Sequence, residues 1–451
     1  MNFKIKSIAC AALVALLASC GNDEYEFDKL FPESYHSIVY LRGDMTAPLI
    51  VYETGEETTV AFPVMKGGSD PDTSAKVDVE ACSQQEIDEL NLGYVLVPED
   101  CYRLQGDIAF APKEQYKEAS VTFNIEKLKA FIASVTDGRI PAIALKLANS
   151  DATINSDKSK VIRSLSVKRP SIGFAAEKAQ LGFANGKVDV SVLLDAENQW
   201  DFDCELGYGD IESEVFLYNL ENGTNYEPMP ADAFDLSTAK LEFKKGSNSA
   251  TATVALNDVG NSLPLDGEYL LPLTISNCSM PSFEIKPSTC YVVVSGEVTI
   301  NLDMLSSPCT QEDDGAGLGG LIDDDPATFW HSVWKTSYLD GTYGHYFQVD
   351  LKTTIANTFK FRYETRDYEP VLPLEIKIFV SENGSSWKEF VALNRDNDGL
   401  CGVSSSWTSP DYQVASPIRF VRFCVMRSNN GRPGVDGGAC TAIAGFHVWG
   451  K

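Results

Sequence analysis

Apolar and polar residues alternate along most of this chain, with a period of two. Clear examples are the segments 120–125, 143–147, 187–192 and 250–256. Each segment places apolar side chains on one face of an extended strand and polar side chains on the other. Amphipathic helical patterns are scarce, and 126–134 is the best short candidate. The pattern therefore predicts an all-β protein whose cores are formed by packed sheets.

A weak internal repeat of roughly 130 residues divides the first two thirds of the chain. The segment 97–102 (VPEDCY) matches 229–234 (MPADAF), and similar strand patterns follow each of them. This repeat predicts two tandem β-sandwich (immunoglobulin-like) domains, at residues 31–170 and 171–299.

Five sequence blocks in the last 150 residues or so carry a more specific pattern. In order and spacing they resemble the coagulation factor 5/8 type C domain (discoidin, galactose-binding-like), which is similar to family 32 carbohydrate-binding modules. The resemblance implies a jelly-roll β-sandwich over residues 300–451, in a fold that usually binds ligands and seldom catalyses reactions. The blocks are 321–334, 345–351, 378–387, 418–423 and 442–450.

The tandem repeat also resembles the N-terminal regions of Bacteroidetes surface lipoproteins that accompany starch-utilisation-like uptake systems. Those regions are similar to immunoglobulin-like spacers. This resemblance implies that residues 31–299 hold the terminal module away from a membrane.

The first 30 residues look like a targeting segment. A positively charged start precedes a short apolar run at 8–17, which is too short to span a bilayer. The small residues before Cys20 resemble a bacterial lipoprotein box, which implies a signal peptide at 1–19 and lipidation of Cys20. The acidic segment 20–30 reads as a tether, and it resembles a surface-export signal. A plain secretory signal is the alternative.

The acidic balance of the chain excludes one class of partner. The formal net charge is -27 and the pI is about 4.5. Nucleic-acid binding needs clustered Lys and Arg against phosphates, so we expect no nucleic-acid partner.

The cysteines do not follow a metal-binding pattern, because no CxxC spacing occurs. An exported protein is able to form disulfides. Cys82 with Cys101, and Cys278 with Cys290, are near enough in sequence to pair across neighbouring strands. Buried unpaired thiols are the competing interpretation.

Sugar binding requires an aromatic face against the pyranose ring and polar groups that hold its hydroxyls. His331 and Trp334 match a Trp-His-Thr-x-Trp variant found in bacterial members of the resembled family. The resemblance implies that Trp334 faces the ligand and that His331 contacts it. Packing beneath the loop is the alternative for both residues.

Two further loops offer candidate sugar ligands. Arg366 matches an arginine that lies near the sugar in the resembled family, and Tyr368 adds an aromatic face. An ion pair with a neighbouring acid is the alternative for Arg366. Asn430 and Arg432 lie in a Gly- and Pro-rich loop before the last strand, and a flexible polar turn is the alternative there.

The resemblance also implies a site for one structural Ca²⁺. Asp323, Asp325 and Thr328 match the loop that often binds calcium in the family, and hard oxygen ligands suit this ion. The family usually completes the site with a glutamate in the last strand, where this chain has Gly445. Calcium binding is therefore left open, and no other cofactor is expected.

No GxSxG or HExxH motif occurs, so we expect a binding protein and not an enzyme. The combined patterns predict a lipid-anchored protein of the outer membrane that faces the cell exterior. It would bind an oligosaccharide or polysaccharide and work with an outer-membrane transporter. An adhesin for a host or matrix protein, and a non-catalytic spacer subunit of an uptake complex, are the alternatives.

Overall fold

The structure, a computed structural model, describes residues 32–43, 47–55 and 57–451. The predicted signal peptide, Cys20 and the whole acidic tether lie outside the described residues. About 46% of the chain is strand and 13% is helix, which confirms the all-β prediction. No helix among the described residues is both long enough and apolar enough to cross a bilayer.

The first compact unit contains the described residues up to Pro170, together with Met280–Glu284. Its strands form one sheet in the order β10-β1-β3-β8-β6 and a second in the order β2-β11-β9-β4-β7, with β5 beside β9. The strands are β1 (Ile38–Leu41), β2 (Leu49–Tyr52), β3 (Thr58–Gly67), β4 (Ala75–Ala81), β5 (Tyr94–Leu96), β6 (Tyr102–Gln105), β7 (Asp107–Phe110), β8 (Tyr116–Phe123), β9 (Ile140–Ala148), β10 (Thr153–Ile154) and β11 (Lys160–Lys168).

Alternation along the strands builds the core of this unit. In β8, Ala119, Val121 and Phe123 are buried between the sheets while their neighbours face outward. The short helix α1 (Gln84–Asp88) begins with a capping box, and α2 (Ile125–Ser134) begins at an asparagine cap. The helix predicted at 126–134 is thus confirmed.

The second unit contains Ser171–Ser279 and Ile285–Lys451. Its first block of strands forms sheets in the orders β17-β19-β14-β12-β21 and β13-β22-β20-β15-β18, with β16 beside β20. The strands are β12 (Ser171–Phe174), β13 (Lys178–Gly182), β14 (Lys187–Leu194), β15 (Phe202–Gly207), β16 (Glu227–Pro228), β17 (Phe234–Leu236), β18 (Lys240–Phe243), β19 (Ser249–Leu256), β20 (Glu268–Cys278), β21 (Glu284–Ile285) and β22 (Thr289–Ser295). The helices of this block are α3 (Ile211–Asn222) and α4 (Asp258–Ser262).

The strand orders of the two blocks correspond one to one along the chain. The central path β1-β3-β8-β6 corresponds to β12-β14-β19-β17, and β2-β11-β9-β4-β7 corresponds to β13-β22-β20-β15-β18. The internal sequence repeat therefore has a topological counterpart. The exact domain boundaries stay a prediction.

The terminal block of the second unit also consists of strands, with one short helix, α5 (Arg395–Asp398). A five-stranded sheet runs β23-β25-β31-β27-β28, and β26 pairs with β29, β30 and β33 in a second sheet. Strand β24 pairs with β32. The strands are β23 (Leu305–Ser306), β24 (Trp330–His331), β25 (His345–Ile355), β26 (Thr358–Glu364), β27 (Pro373–Ser381), β28 (Lys388–Asn394), β29 (Ser406–Thr408), β30 (Tyr412–Gln413), β31 (Ile418–Ser428), β32 (Ala442–Ile443) and β33 (Gly445–Gly450).

Aromatic side chains dominate the core between these two sheets. Phe347 and Phe423 stack at 5.2 Å between ring centroids, and Phe446 meets Phe347 edge-on at 5.0 Å. Trp330 is fully buried and also meets Phe347 edge-on, at 5.3 Å. Offset and edge-to-face pairs of this kind add stabilisation beyond the burial of their area.

Main-chain hydrogen bonds connect this terminal block to the sandwich before it. Gly450 N donates to Gly296 O at 2.9 Å, and Val298 N donates to Val448 O at 2.8 Å. The Lys451 ammonium donates to the carbonyl groups of Asn261, at 2.9 Å, and Leu263. The predicted boundary at 299/300 thus falls within one compact unit.

Two histidines are buried at the edge of the aromatic core. His345 Nδ1 lies 2.9 Å from Ser332 Oγ, and its Nε2 lies 3.1 Å from Tyr338 O. His331 Nδ1 lies 2.7 Å from Ser332 O. Burial lowers the pKa of both imidazoles below the usual value, so both rings are neutral at neutral pH.

Because these two histidines are buried and neutral, we expect acid to lower the free energy of unfolding of this unit. Their pKa values are lower in the folded chain than in the unfolded chain, so the unfolded chain binds more protons as the pH falls through about 6.5. Each histidine then costs at most about 1.4 kcal/mol of stability per pH unit. We expect the melting temperature to fall between pH 7.5 and 5.5, and to fall less steeply in His345→Gln. Equal slopes for the two proteins would contradict this.

The contacts of Lys451 predict a second stability effect. Lys451→Ala leaves two carbonyl groups without their donor, which costs about 1–3 kcal/mol. Urea denaturation followed by fluorescence would measure this loss. Lys244→Ala is the matched control, because its ammonium only pairs with Glu242 at the surface and such pairs contribute little. A control that loses as much stability as Lys451→Ala would rule out a specific role for these contacts.

Candidate ligand-binding end of the terminal module

Strand β24 positions the first candidate loop. Trp330 points into the core and donates from Nε1 to Thr310 Oγ1 at 2.9 Å. Phe329, the residue before β24, packs with a separate buried cluster that contains Ala442, the register partner of His331, so Phe329 and His331 lie on the opposite side from Trp330. Their rings meet edge-on at 6.2 Å, and this pair forms the floor of the candidate site.

Arg366 lies over this floor. Its guanidinium carbon is 3.7 Å from the centre of the Phe329 ring and 5.3 Å from that of Tyr368. In the described part of the chain, the guanidinium has no ion pair with an acidic side chain. Stacking holds the cation in place while its N–H groups stay available to a ligand. Tyr368 itself is 50% exposed.

Trp334 follows β24 along the chain and is 44% exposed. Its Nε1 donates to a carboxylate oxygen of Asp314 at 3.1 Å. Lys335 lies 5.0 Å above the centre of the Trp334 ring and also pairs with Asp313. The indole is therefore held by Asp314 at its edge and by Lys335 over one face, and part of its surface faces solvent.

His331 lies close to Asp314 as well as to Phe329. Its Nε2 is 3.9 Å from the same Asp314 oxygen that accepts from Trp334. Only 3% of His331 is exposed, so it has little surface to offer a ligand. The geometry suits a residue that supports the Phe329 ring, because 3.9 Å is too long for a hydrogen bond to Asp314. The direct contact implied by the sequence resemblance stays a prediction.

Asn430 and Arg432 lie in the Gly- and Pro-rich candidate loop before the last strand, and both contact neighbouring side chains. Asn430 Nδ2 donates to Cys440 Sγ at 3.1 Å, and Asn430 Oδ1 accepts from Ser428 Oγ at 2.7 Å. Arg432 forms an ion pair with Asp436 at 3.2 Å within its own loop. Both side chains are thus engaged locally, and their contact with a ligand also stays a prediction.

The predicted calcium loop is held by its own hydrogen bonds. The Thr328 hydroxyl donates to the Asp323 carboxylate at 2.6 Å, and Asp325 N donates to the same carboxylate at 3.2 Å. Among the described residues, no group of three or more His, Cys, Asp or Glu side chains is arranged to hold a metal ion.

The space beside Gly445 is filled by Glu364 from the neighbouring strand. A Cβ at Gly445 would lie 3.1 Å from Glu364 Cγ. The Glu364 carboxylate pairs with Arg362 at 2.9 Å, so it is already neutralised by a cation. Calcium at this loop stays a prediction.

Two residues of this site were not identified from the sequence. Phe329 directly precedes Trp330, and strand alternation alone would have placed it on the site face of β24. Asp314 lies in a Gly-rich segment far from Trp334 in sequence, and no local pattern marks it. The first residue was recoverable from the sequence, whereas the second depends on tertiary structure.

Comparison with solved structures gives distant similarities. A two-domain protein of unknown function from Bacteroides fragilis is 13% identical, with 62% of this chain and 94% of that chain covered and a TM-score of 0.25. A family 32 carbohydrate-binding module from Clostridium perfringens, solved with galactose, is 16% identical, with 34% and 98% covered and a TM-score of 0.25. A Bacteroides ovatus protein described as a putative carbohydrate-binding protein is 15% identical, with 62% and 74% covered and a TM-score of 0.26.

No curated protein matches the chain. The family model described as "-like, N-terminal domain" matches in two segments, 31–158 and 174–282. These segments fall within the two strand blocks that share one topology, and together they cover more than half of the chain. The last strands of the blocks, β11, β21 and β22, lie outside the matched residues. The protein therefore belongs to the family of this N-terminal domain, which it carries as a tandem pair.

Proposed function

We propose that the protein binds glycans at the loop end of its terminal module. The observation that carries the proposal is the stacking of the Arg366 guanidinium on Phe329 beside the exposed Tyr368. The exposed Trp334 belongs to the same cluster, because it donates to Asp314, which lies 3.9 Å from the His331 ring next to Phe329. Phe329 supports the guanidinium from beneath. The described part of the chain provides no acidic partner for this cation.

This arrangement suits the chemistry of a sugar. The C–H face of a pyranose packs against an aromatic ring, and directed hydrogen bonds select its hydroxyl groups. Arg366 supplies donors in a fixed plane, and the Asp314 carboxylate beside Trp334 supplies an acceptor. A donor and an acceptor beside aromatic faces are suited to neighbouring hydroxyls of one ring. Binding would be of modest strength, because each contact also displaces water.

Location and partners form the second part of the proposal. The resemblance of the residues before Cys20 to a lipoprotein box supports anchoring to the outer membrane, and the acidic segment behind Cys20 supports exposure to the cell exterior. On this basis the protein would capture an oligosaccharide or polysaccharide for an outer-membrane transporter. Its own role would be binding without catalysis.

The glycan proposal predicts a specific pattern of binding losses. Isothermal titration of the full chain against a glycan panel should find at least one ligand. Trp334→Ala and Tyr368→Ala should each weaken that binding about tenfold, since each loses a stacking face. Arg366→Lys should weaken it similarly, because an ammonium cannot reproduce the planar fork of donors.

Tyr35→Ala is the matched control, because Tyr35 is a similarly exposed tyrosine in the first unit. It should bind as the unaltered protein does. The proposal fails if the folded protein binds no glycan. It also fails if the loop-end variants bind as tightly as the control.

A further inference from the structure

Two cysteines face each other inside the second sandwich. Cys204 lies in β15 and Cys278 ends β20, and the two residues are direct partners in the antiparallel register of these strands. Both residues are buried. Their side chains therefore point to the same face of the sheet at the same level.

The hydrogen bonds around the pair show which type of cross-strand position it occupies. Ser279 N donates to Asp203 O at 2.9 Å, and Asp203 N donates to Ser279 Oγ at 2.9 Å, so the main-chain groups of Asp203 and Ser279 face each other as in a hydrogen-bonded pair. Because hydrogen-bonded and non-hydrogen-bonded pairs alternate, Cys204 and Cys278 form a non-hydrogen-bonded pair. Such Cα atoms lie about 4.5 Å apart, within the range of about 4.4–6.8 Å that a disulfide spans.

The thiol groups are already in contact. Hydrogen bonding with Cys278 and burial together raise the pKa of the Cys204 thiol far above its usual value. Inside the folded sheet the pair is therefore protonated and unreactive. Any oxidation has to take place during folding, before β15 and β20 are covered.

The register of β20 with β22 excludes the pairing of Cys278 with Cys290 that sequence proximity suggested. Cys290 in β22 lies opposite Leu273, five residues along β20 from Cys278. At about 3.3 Å per residue this separation is far too long for a disulfide. The other suggested pair, Cys82 and Cys101, packs in two separate hydrophobic clusters.

We propose that Cys204 and Cys278 form a structural disulfide when the protein folds in an oxidising compartment. A disulfide-bearing oxidant, such as oxidised glutathione or a protein disulfide, would accept the electrons. One cysteine thiolate attacks the oxidant and releases its first thiol, forming a mixed disulfide. The second cysteine thiolate then displaces the other thiol. Two protons leave the cysteines, and two electrons reduce the oxidant.

Refolding of the full chain tests this pairing directly. The protein is unfolded with reductant, refolded in a buffer of reduced and oxidised glutathione, and then denatured and alkylated. We expect peptide mapping to find a peptide pair joined through Cys204 and Cys278, about 2 Da lighter than the two thiol peptides together. Full alkylation of both cysteines would overturn the proposal, and so would their linkage to other cysteines.

Thermal unfolding gives an independent readout. Reduction should lower the melting temperature of the oxidised protein by roughly 10 °C, because the bond closes a long loop of the unfolded chain. Cys204→Ala/Cys278→Ala should not respond to reductant. Cys401→Ser, a change at a half-buried cysteine elsewhere in the unit, should keep both the joined peptide and the response. A reductant response that persists in the double variant would contradict the assignment.

Discussion

The burial of Trp330 is the constraint on which the candidate site depends. Its indole packs edge-on against Phe347 inside an aromatic core, and its single polar atom is satisfied by Thr310. Because successive side chains of an extended chain point to opposite faces, the neighbours of Trp330 then face away from this core. Phe329 is thereby held outside the core, where it supports Arg366. The position of a surface cation thus follows from the packing of a buried ring.

Arg366, like Arg422, stacks on aromatic rings without an acidic partner among the described residues, in a chain with many carboxylates. The chain has 64 acidic and 37 basic residues. Many Lys and Arg side chains form ion pairs with Asp or Glu, as Lys352, Arg419 and Arg432 do. Stacking on Phe329 holds this guanidinium without neutralising it. The loops therefore present a positive, planar group already in position, so less side-chain entropy is lost when a ligand binds.

The sequence was a good guide wherever a local pattern decides the structure. Alternation predicted the sheets, the 130-residue repeat predicted two blocks with one topology, and the short helix at 126–134 was found. Contacts made between distant segments were not predictable. The Asp314 contact with Trp334 and the pairing of Cys204 with Cys278 depend on how strands and loops align, and local periodicity carries no information about that alignment.

The junction between the second sandwich and the terminal module bears on how a captured ligand is presented. Main-chain hydrogen bonds at Gly296 and Val298, together with Lys451, replace the flexible linker that often separates domains. A ligand bound at these loops would consequently be oriented by the whole unit. Independent rotation of the terminal module would be restricted, and a force on a bound ligand would pass directly into the backbone of the sandwich.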